Sequence, residues 1–284
     1  MKQVKTVREC RAEIEAARNR GSRIGFVPTM GCLHGGHYSL VERAAEECDF
    51  VVVSIFVNPT QFEEGEDFES YPRRLEEDLA GCCERNVSLV FVPGVGEIYP
   101  DWPDAGSTTV SAGPIASFLC GESRPGHFDG VCRVVSILFN IIQPDAAYFG
   151  DKDYQQLLVI RKMARDLMMP VEIVGCPTVR ENDGLAMSSR NTYLDDSRRN
   201  QAAGLYRSLV RAEETVRSGE SDPGVIEAVV REVLAEVTPE GVIDYVSVCD
   251  PCTLEPVGNV KIPVLVAIAV RIGKARLVDH VVIE

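Results

Sequence analysis

His34-Gly35-Gly36-His37 sets two imidazoles three positions apart with glycines between them. At a helix start that spacing suits a nucleotide's phosphates. The first N–H groups lack intrahelical partners, the helix dipole favours negative charge, and an imidazole can donate to a phosphate oxygen or carry a proton near neutral pH. The plainer alternative is a pair of surface or capping histidines, with glycines that only permit a turn. Far along the chain, Met187-Ser188-Ser189-Arg190 places two hydroxyls beside a guanidinium. That set can neutralise a polyphosphate and bond its oxygens in a fork, although by itself it also reads as a polar linker.

The elements needed to position these groups are legible. Thr6-Val7-Arg8-Glu9 has the form of a capping box opening a helix to about Arg20. Ile24 to Pro28 reads as a buried strand, and a helix follows from about Gly36 to Cys48 with Val41, Ala44, Ala45 and Cys48 on one face. Phe50 to Val57 is a second strand, β-branched almost throughout, as expected of a parallel strand covered on both faces. Pro72 is placed to open a helix through Leu79, and Ser88 to Val92 is a third strand. After a Pro-, Gly- and Asp-rich loop over Pro93 to Gly113, Val131, Val134, Val135, Leu138, Phe139 and Ile142 recur at helical spacing. A strand at Ala146 to Phe149, a helix from Tyr154 to Leu167 and a strand at Val171 to Val174 complete the alternation.

Strand–helix alternation at this spacing indicates an α/β fold, a Rossmann-like doubly wound parallel sheet that binds ligands beyond the carboxyl ends of its strands. His34, Asn58 and Lys152 each follow a strand end and could share one crevice. After about Val179 the pattern changes to helices near Arg198 to Ser218 and Asp222-Pro223 to Val237, then strands at Val242 to Val248, Val264 to Val270 and Leu277 to Ile283. The expected division is a domain over 1–178 and a smaller C-terminal α+β lid domain over 179–284, joined by a hinge within Cys176 to Arg190.

Composition narrows the function classes. The chain has 284 residues, 45% of them apolar and 25% charged, as in an ordinary globular protein. Its net charge of −14 argues against a general nucleic-acid surface, which needs Lys and Arg for phosphate backbones. The longest apolar runs, Phe50 to Val57 and Pro263 to Val270, fall far below the roughly 18 residues that span a bilayer, and the polar N-terminus lacks the core of a signal peptide. The expected location is therefore cytoplasmic, with neither nucleic acid nor membrane as partner. Ten cysteines are scattered without a CxxC pair. Cys10, Cys48 and Cys132 lie on apolar helix stripes, where a free thiol is a small hydrophobe.

Together the two phosphate motifs resemble the paired signatures of a nucleotidyltransferase superfamily that holds ATP with its α-phosphate facing a nucleophile. The likeness then narrows. Val27-Pro28-Thr29-Met30-Gly31-Cys32-Leu33-His34-Gly35-Gly36-His37-Tyr38-Ser39-Leu40 resembles the opening motif of the pantothenate synthetase family. So do Ser54 to Phe62, with Glu66-Asp67 and Tyr71-Pro72-Arg73 after it, Arg124 to Val131, Phe149 to Gln156, and Pro177 to Asn191. The order and spacing of these motifs make the resemblance specific; it runs from near residue 24 to the C-terminus and weakens after about residue 200.

The resemblance implies condensation of pantoate with β-alanine, driven by ATP and releasing AMP and pyrophosphate. Pantoate's carboxylate would attack the α-phosphorus to form pantoyl adenylate, and the β-alanine amine would then displace AMP. By motif position the catalytic set is His34, His37, Lys152 and Arg190, with His37 aiding pyrophosphate departure. Met30, Gly31, Cys32, Leu33, His34, Gly35, Gly36 and His37 are expected at ATP, together with Asp151 and Met187. Lys152, Ser188, Ser189 and Arg190 would hold phosphates, and Gly150, Asp153 and Val179 would contact the adenosine. Gln61 and Gln156 would hold pantoate, with Asn58, Tyr71, Arg124 and His127 completing the wall. The resemblance also implies a homodimer, and Mg²⁺ as the ion that accompanies ATP, with ligands the sequence leaves unknown.

The chemistry is consistent with those roles. Preorganised cations and donors stabilise the charge gathering on phosphorus and pyrophosphate, and in-line placement needs no covalent enzyme intermediate. Neutral glutamines orient a carboxylate without damping its nucleophilicity as an arginine would. Gln156 has a second reading, since three residues after Asp153 it could be the reciprocal partner in a capping box. Glu77 and Asp78 could reach the metal, but their acidic helix face reads equally as solvated surface. Two residues depart from the family pattern: Gly35 replaces an acidic residue and Cys32 an alanine, so a reshaped phosphate turn is expected. A different nucleotidyltransferase would lack need of the Gln61 and Gln156 pair, and a non-enzymatic nucleotide-binding regulator would not need His34, His37, Lys152 and Arg190 intact.

Overall fold

The structure is a computed structural model that describes residues 1–62, 65–103 and 108–284. Its elements run β1 (Lys2–Val4), α1 (Val7–Arg18), β2 (Ile24–Thr29), α2 (Gly35–Glu47), β3 (Phe50–Ile55), α3 (Leu75–Glu84), β4 (Leu89–Phe91) and the short α4 (Val95–Ile98) and α5 (Cys120–Ser123). They continue with α6 (His127–Ile142), β5 (Ala146–Gly150), α7 (Tyr154–Asp166), β6 (Glu172–Cys176), α8 (Asp196–Ala202), α9 (Gly204–Arg217), α10 (Pro223–Val237), β7 (Gly241–Cys249), β8 (Val264–Ile272) and β9 (Ala275–Ile283). Two compact units form. One comprises Met1–Gly113, Arg124–Asp151 and Gln156–Pro177, the other Pro114–Ser123, Lys152–Gln155 and Thr178–Glu284.

The first unit is built on a six-stranded parallel sheet in the order β1-β4-β3-β2-β5-β6. This is the doubly wound arrangement expected from the alternation. Val27, Val51 and Val53 point to the face covered by Leu40, Val41 and Ala44 of α2 and Cys82 of α3. Phe26 faces the other way and meets Phe139 of α6 edge-on at 6.3 Å. Winding reverses between β2, whose next strand β3 lies on one side, and β5 on the other, so the segments leaving β2 and β5 start from adjacent strand ends.

Several local expectations need correction. The edge strand β1 is too short to show a period, yet Lys2, Gln3 and Val4 pair in register with Leu89, Val90 and Phe91. Pro72 does not open α3. Arg73 bonds the carbonyls of Phe68, Glu69 and Tyr71, which keeps that stretch as a loop until Leu75. On α2 the buried residues are Leu40, Val41 and Ala44, while Ala45 is exposed. The capping box of α1 is present, with Thr6 and Glu9 bonded reciprocally.

In the second unit α9 and α10 pack on the antiparallel sheet β7-β8-β9. Leu205, Leu209, Ile226, Val230 and Leu234 form its core with Val266, Ile268 and Val270. The single helix expected from Arg198 is divided at Ala203. Gly204 follows, where a β-carbon would come within 2.3 Å of the Val237 side chain, so the break admits α10 at close range. All ten cysteines are free. Cys10 and Cys132 are fully buried, and Cys48 is half-buried with its thiol 3.3 Å from the Tyr148 hydroxyl. Among the described residues no helix is long and apolar enough to cross a membrane.

Candidate active site

The His34 motif begins in a turn that glycine alone does not explain. Thr29 at the end of β2 donates its hydroxyl to the Ser54 carbonyl at 2.8 Å and accepts from Gly31 N–H at 3.2 Å. Gly31 has φ +86° and Cys32 φ +52°, so a non-glycine residue holds the left-handed region, at a cost of roughly 1–2 kcal/mol. The amides of Cys32 and Leu33 donate to the two carboxylate oxygens of Asp78 at 2.9 and 2.6 Å. Asp78 is 2% exposed. Burial raises its carboxyl above the usual aspartate range, opposed by those two amides.

The two histidines then cap their own helix. His34 is the N-cap of α2, its Nδ1 accepting from Gly36 N–H at 3.1 Å, while His37 Nδ1 accepts from His34 N–H at 3.4 Å. An imidazole nitrogen that accepts carries no hydrogen, so each neutral ring must carry its proton on Nε2. Capping thus engages the Nδ1 atom of each ring. It sets both rings as Nε2–H donors, with centroids 4.1 Å apart.

Gln61 sits in a preorganised nest in the same unit. Asn58, 1% exposed, caps the 3-10 turn Pro59–Gln61. Its Oδ1 accepts from the Tyr99 hydroxyl at 2.8 Å and from Thr60, and its Nδ2 donates to the Gln61 Oε1 at 3.1 Å and to the Gly130 carbonyl at 3.2 Å. With its oxygen accepting from Asn58, Gln61 presents Nε2 toward Met30, 2.9 Å from the sulfur. The Gln61 backbone carbonyl accepts from His127 Nδ1 at 2.8 Å and from Arg124 at 3.2 Å. A carbonyl only accepts, so His127 carries its proton on Nδ1, and its Nε2 accepts from Arg124 at 3.0 Å. Arg124 Nε and the same Nη2 that bonds the Gln61 carbonyl donate to the Glu66 carboxylate at 2.7 and 2.6 Å. Asn58, Arg124 and His127, the residues expected along a substrate wall, all bond Gln61. Tyr71 is buried against the Phe62 ring.

Gly150 and Asp151 leave the end of β5, and burial raises the Asp151 carboxyl while Arg161 opposes the rise. Gln156 is half-buried in the first turn of α7. Its neighbour Gln155 belongs to the second unit and ties down the segment before α5, bonding Cys120 N–H and the Ile115 and Phe118 carbonyls.

The remaining expected residues lie in the second unit. The stretch expected to act as a hinge contains a tight hairpin. Met187 N–H bonds the Val179 carbonyl at 3.0 Å, Arg180 bridges Ala186, and Gly184 turns the chain with φ +94° against Tyr206. Arg180 pins the hairpin through a bidentate pair with buried Asp279 at 2.6 and 2.9 Å. Ser188 then caps the 3-10 turn Ser189–Tyr193, accepting from Arg190 N–H at 3.3 Å; Ser189 is buried and Arg190 half-buried. Lys152 lies 3.3 Å from the Asp153 carboxylate, with its side chain 19% exposed.

Three contributors escaped the sequence reading. Asp78 stood only as a candidate near a metal, and its helical position carries no sign of the turn it holds. Gly130 and Glu66 each stood only as part of a motif, without a task of its own. Among the described residues no group of three His, Cys, Asp or Glu could hold a metal ion.

Comparison with known proteins bears on this geometry. A family model described as pantoate-beta-alanine ligase matches residues 2–282. A pantothenate synthetase of Thermosipho africanus is 50% identical over 283 residues, covering 100% of both chains, and one of Thermosipho melanesiensis is 54% identical over 265 residues, covering 93% of this chain and 92% of the relative. The crystal structure of pantothenate synthetase from Thermus thermophilus superposes with a TM-score of 0.91 at 47% identity, covering 99% of each chain. A pantoate-beta-alanine ligase from Francisella tularensis, complexed with β-γ ATP and β-alanine, does so at 0.79 and 32% identity, covering 99% of this chain and 97% of its own. Full-length similarity at this level leaves one conclusion: the chain belongs to the pantoate-beta-alanine ligase, or pantothenate synthetase, family.

Proposed function

We propose that this protein joins pantoate to β-alanine at the expense of ATP, through pantoyl adenylate, giving pantothenate, AMP and pyrophosphate. The observation that carries the reading is Gln61, an amide held in one orientation by Asn58 at 3.1 Å and turned toward Met30 beside the histidine turn. A neutral, fixed donor there suits a carboxylate that must stay nucleophilic. The pantoate carboxylate attacks the α-phosphorus as the bond to the bridging oxygen breaks and pyrophosphate leaves. The β-alanine nitrogen then attacks the acyl carbon, AMP departs with the oxygen that joined them, and the amine proton is released.

His34 and His37 act as Nε2–H donors to phosphate oxygens, and His37 assists pyrophosphate departure. Lys152, Ser188, Ser189 and Arg190 serve as further phosphate donors, Gln156 as the second amide for pantoate, and Gly150, Asp153 and Val179 as adenosine contacts. Such donors aimed at developing charge are each worth on the order of 3 kcal/mol to a transition state. Mg²⁺ is the ion expected with ATP. Glu77 and Asp78 do not fit as its ligands, because both Asp78 oxygens take backbone amides and Glu77 points outward beside Arg74. No step is assigned to a protein-held metal.

The working state we propose is a cytoplasmic homodimer. Ten reduced cysteines fit a reducing compartment, and the family resemblance supports the dimer. The decisive test is exchange of labelled pyrophosphate into ATP. It should require pantoate and proceed without β-alanine, and exchange that ignores pantoate would refute the assignment.

A further inference from the structure

The turn that launches α2 is strained and is held from one side by α3. Asp78 accepts from Cys32 and Leu33, and Leu33 directly precedes the His34 cap. Two more ties join the same helices. A β-carbon on Gly81 would stand 2.1 Å from the Tyr38 hydroxyl oxygen, so α3 approaches the first turn of α2 as closely as glycine permits. Arg85 lies 3.8 Å over the Tyr38 ring and also bonds Glu42. The turn itself offers little independent stability, since Cys32 occupies left-handed space that only its surroundings can enforce.

We propose that Asp78 is the positioning residue for the histidine pair: its two-oxygen clamp on Cys32 and Leu33 sets where His34 and His37 present their Nε2 atoms. A carboxylate is the side chain suited to this task. Both oxygens accept, whereas an asparagine of the same shape would turn an NH₂ group against one of the two amides. Charge-assisted bonds to buried amides are also stronger than neutral ones. The clamp consumes the donors of the turn, so the anion-binding power of this helix start rests on the imidazoles and not on the amides of Cys32 and Leu33. The consequence for catalysis rests on the function proposed above, but the link from Asp78 to the histidines does not.

Two readouts separate these. The chain has four histidines, so long-range ¹H–¹⁵N spectra can follow each ring. In the parent, His34 and His37 should both show the Nε2–H tautomer. Asp78→Asn should shift these two and leave His127 and His280 unmoved, while Glu77→Gln shifts none. With substrates, Asp78→Asn should raise KM for ATP and lower kcat by about tenfold or more, with KM for pantoate and β-alanine within twofold. A folded Asp78→Asn with unshifted His34 and His37 overturns the proposal, as does an equal loss for all three substrates. Should that variant not fold, Gly31→Ala loads the same turn, its β-carbon 3.0 Å from Ile55 and 3.1 Å from the Asp78 carboxylate at a backbone φ of +86°. It should displace the same two resonances, and unmoved resonances in it likewise refute the proposal. If the histidines shift in a protein that shows no pantoate-dependent exchange, the functional assignment fails and the positioning role stands.

Discussion

Gly130 lies directly beneath the carbonyl of Thr60, so close that a β-carbon there would stand 2.2 Å from that oxygen. The helix α6 and the 3-10 turn carrying Gln61 are thus in backbone contact, and the Gly130 carbonyl in turn accepts from Asn58. Gly130→Ala should push the turn outward at a cost of about 1–3 kcal/mol, the usual range for overpacking. The expected kinetic result is a rise of about tenfold in KM for pantoate with KM for ATP nearly unchanged. Steady-state rates with each substrate varied will show it, and an unaltered pantoate KM would mean that the turn tolerates the shift.

Asn58 and Gln61 act as one unit. Asn58→Asp keeps the acceptor for Tyr99 but replaces the Nδ2 donor with an oxygen facing the Gln61 oxygen. Pantoate binding should weaken by about tenfold or more. Because Asn58 works through Gln61, adding Asn58→Asp to Gln61→Ala should cost little more than Gln61→Ala alone. Additive losses in that double-mutant cycle would give Asn58 a contact of its own with substrate.

His37→Ala removes one Nε2–H donor and one half of the reciprocal cap. The helix retains the His34 cap on Gly36, so the melting temperature should fall only slightly, while kcat drops by about 10²–10³-fold, the usual effect of losing a preorganised donor. Circular dichroism and turnover measured on the same preparation check both halves of this expectation. A folded variant with parental turnover would remove His37 from the mechanism.

His280 predicts an acid-labile second unit. Its ring packs 4.8 Å from that of Tyr154, its buried Nδ1 has no hydrogen-bond partner among the described residues, and burial lowers its pKa from 6.5 to about 4. The unfolded chain takes up a proton near pH 6.5 that the folded chain refuses until about pH 4, so stability falls as pH drops through that window. At 1.36 kcal/mol per unit the loss is on the order of 3 kcal/mol. His280→Phe should lose less stability than the parent between pH 7 and 4 in denaturant titrations. Parallel pH curves for the two proteins would contradict this.

Thiol chemistry reports the burial of the cysteines. Cys83 and Cys252 are exposed, whereas burial pushes Cys10, Cys82, Cys132 and Cys249 up to about 12 and Cys176 to about 11. A disulfide reagent at pH 8 should modify Cys83 and Cys252 quickly and those five only after denaturation. Mass spectrometry of the native reaction identifies the sites, and early labelling of Cys10 or Cys132 would show that the first unit opens.

Much of this protein was legible because local rules and global fold agree. The apolar runs at Ile24 and Phe50 are buried strands, and Thr6 with Glu9 closes the cap their spacing announces. Asp222-Pro223 opens α10 as read, with Asp222 accepting from Gly224 N–H. Reading failed where an aperiodic loop bond or a partner remote in sequence decides. Nothing near Pro72 reveals that Arg73 will bond three carbonyls of its own loop. Lys2 to Val4 becomes a strand only because β4 offers an edge.

By itself the sequence determined the parallel sheet, the order of its motifs and the family to which they belong, since periodicity and motif spacing are properties of neighbouring residues. Tertiary structure decided what each polar group does. His34 and His37 became Nε2–H donors because backbone amides took their Nδ1 atoms, and Asp78 changed from a possible metal ligand to the clamp of a left-handed turn. Asn58, Arg124 and His127 each gained a bond to Gln61. The physical reason is the same each time. A hydrogen-bonding group has few donors and lone pairs, and which of them remain for substrate depends on the partners that folding brings from elsewhere in the chain.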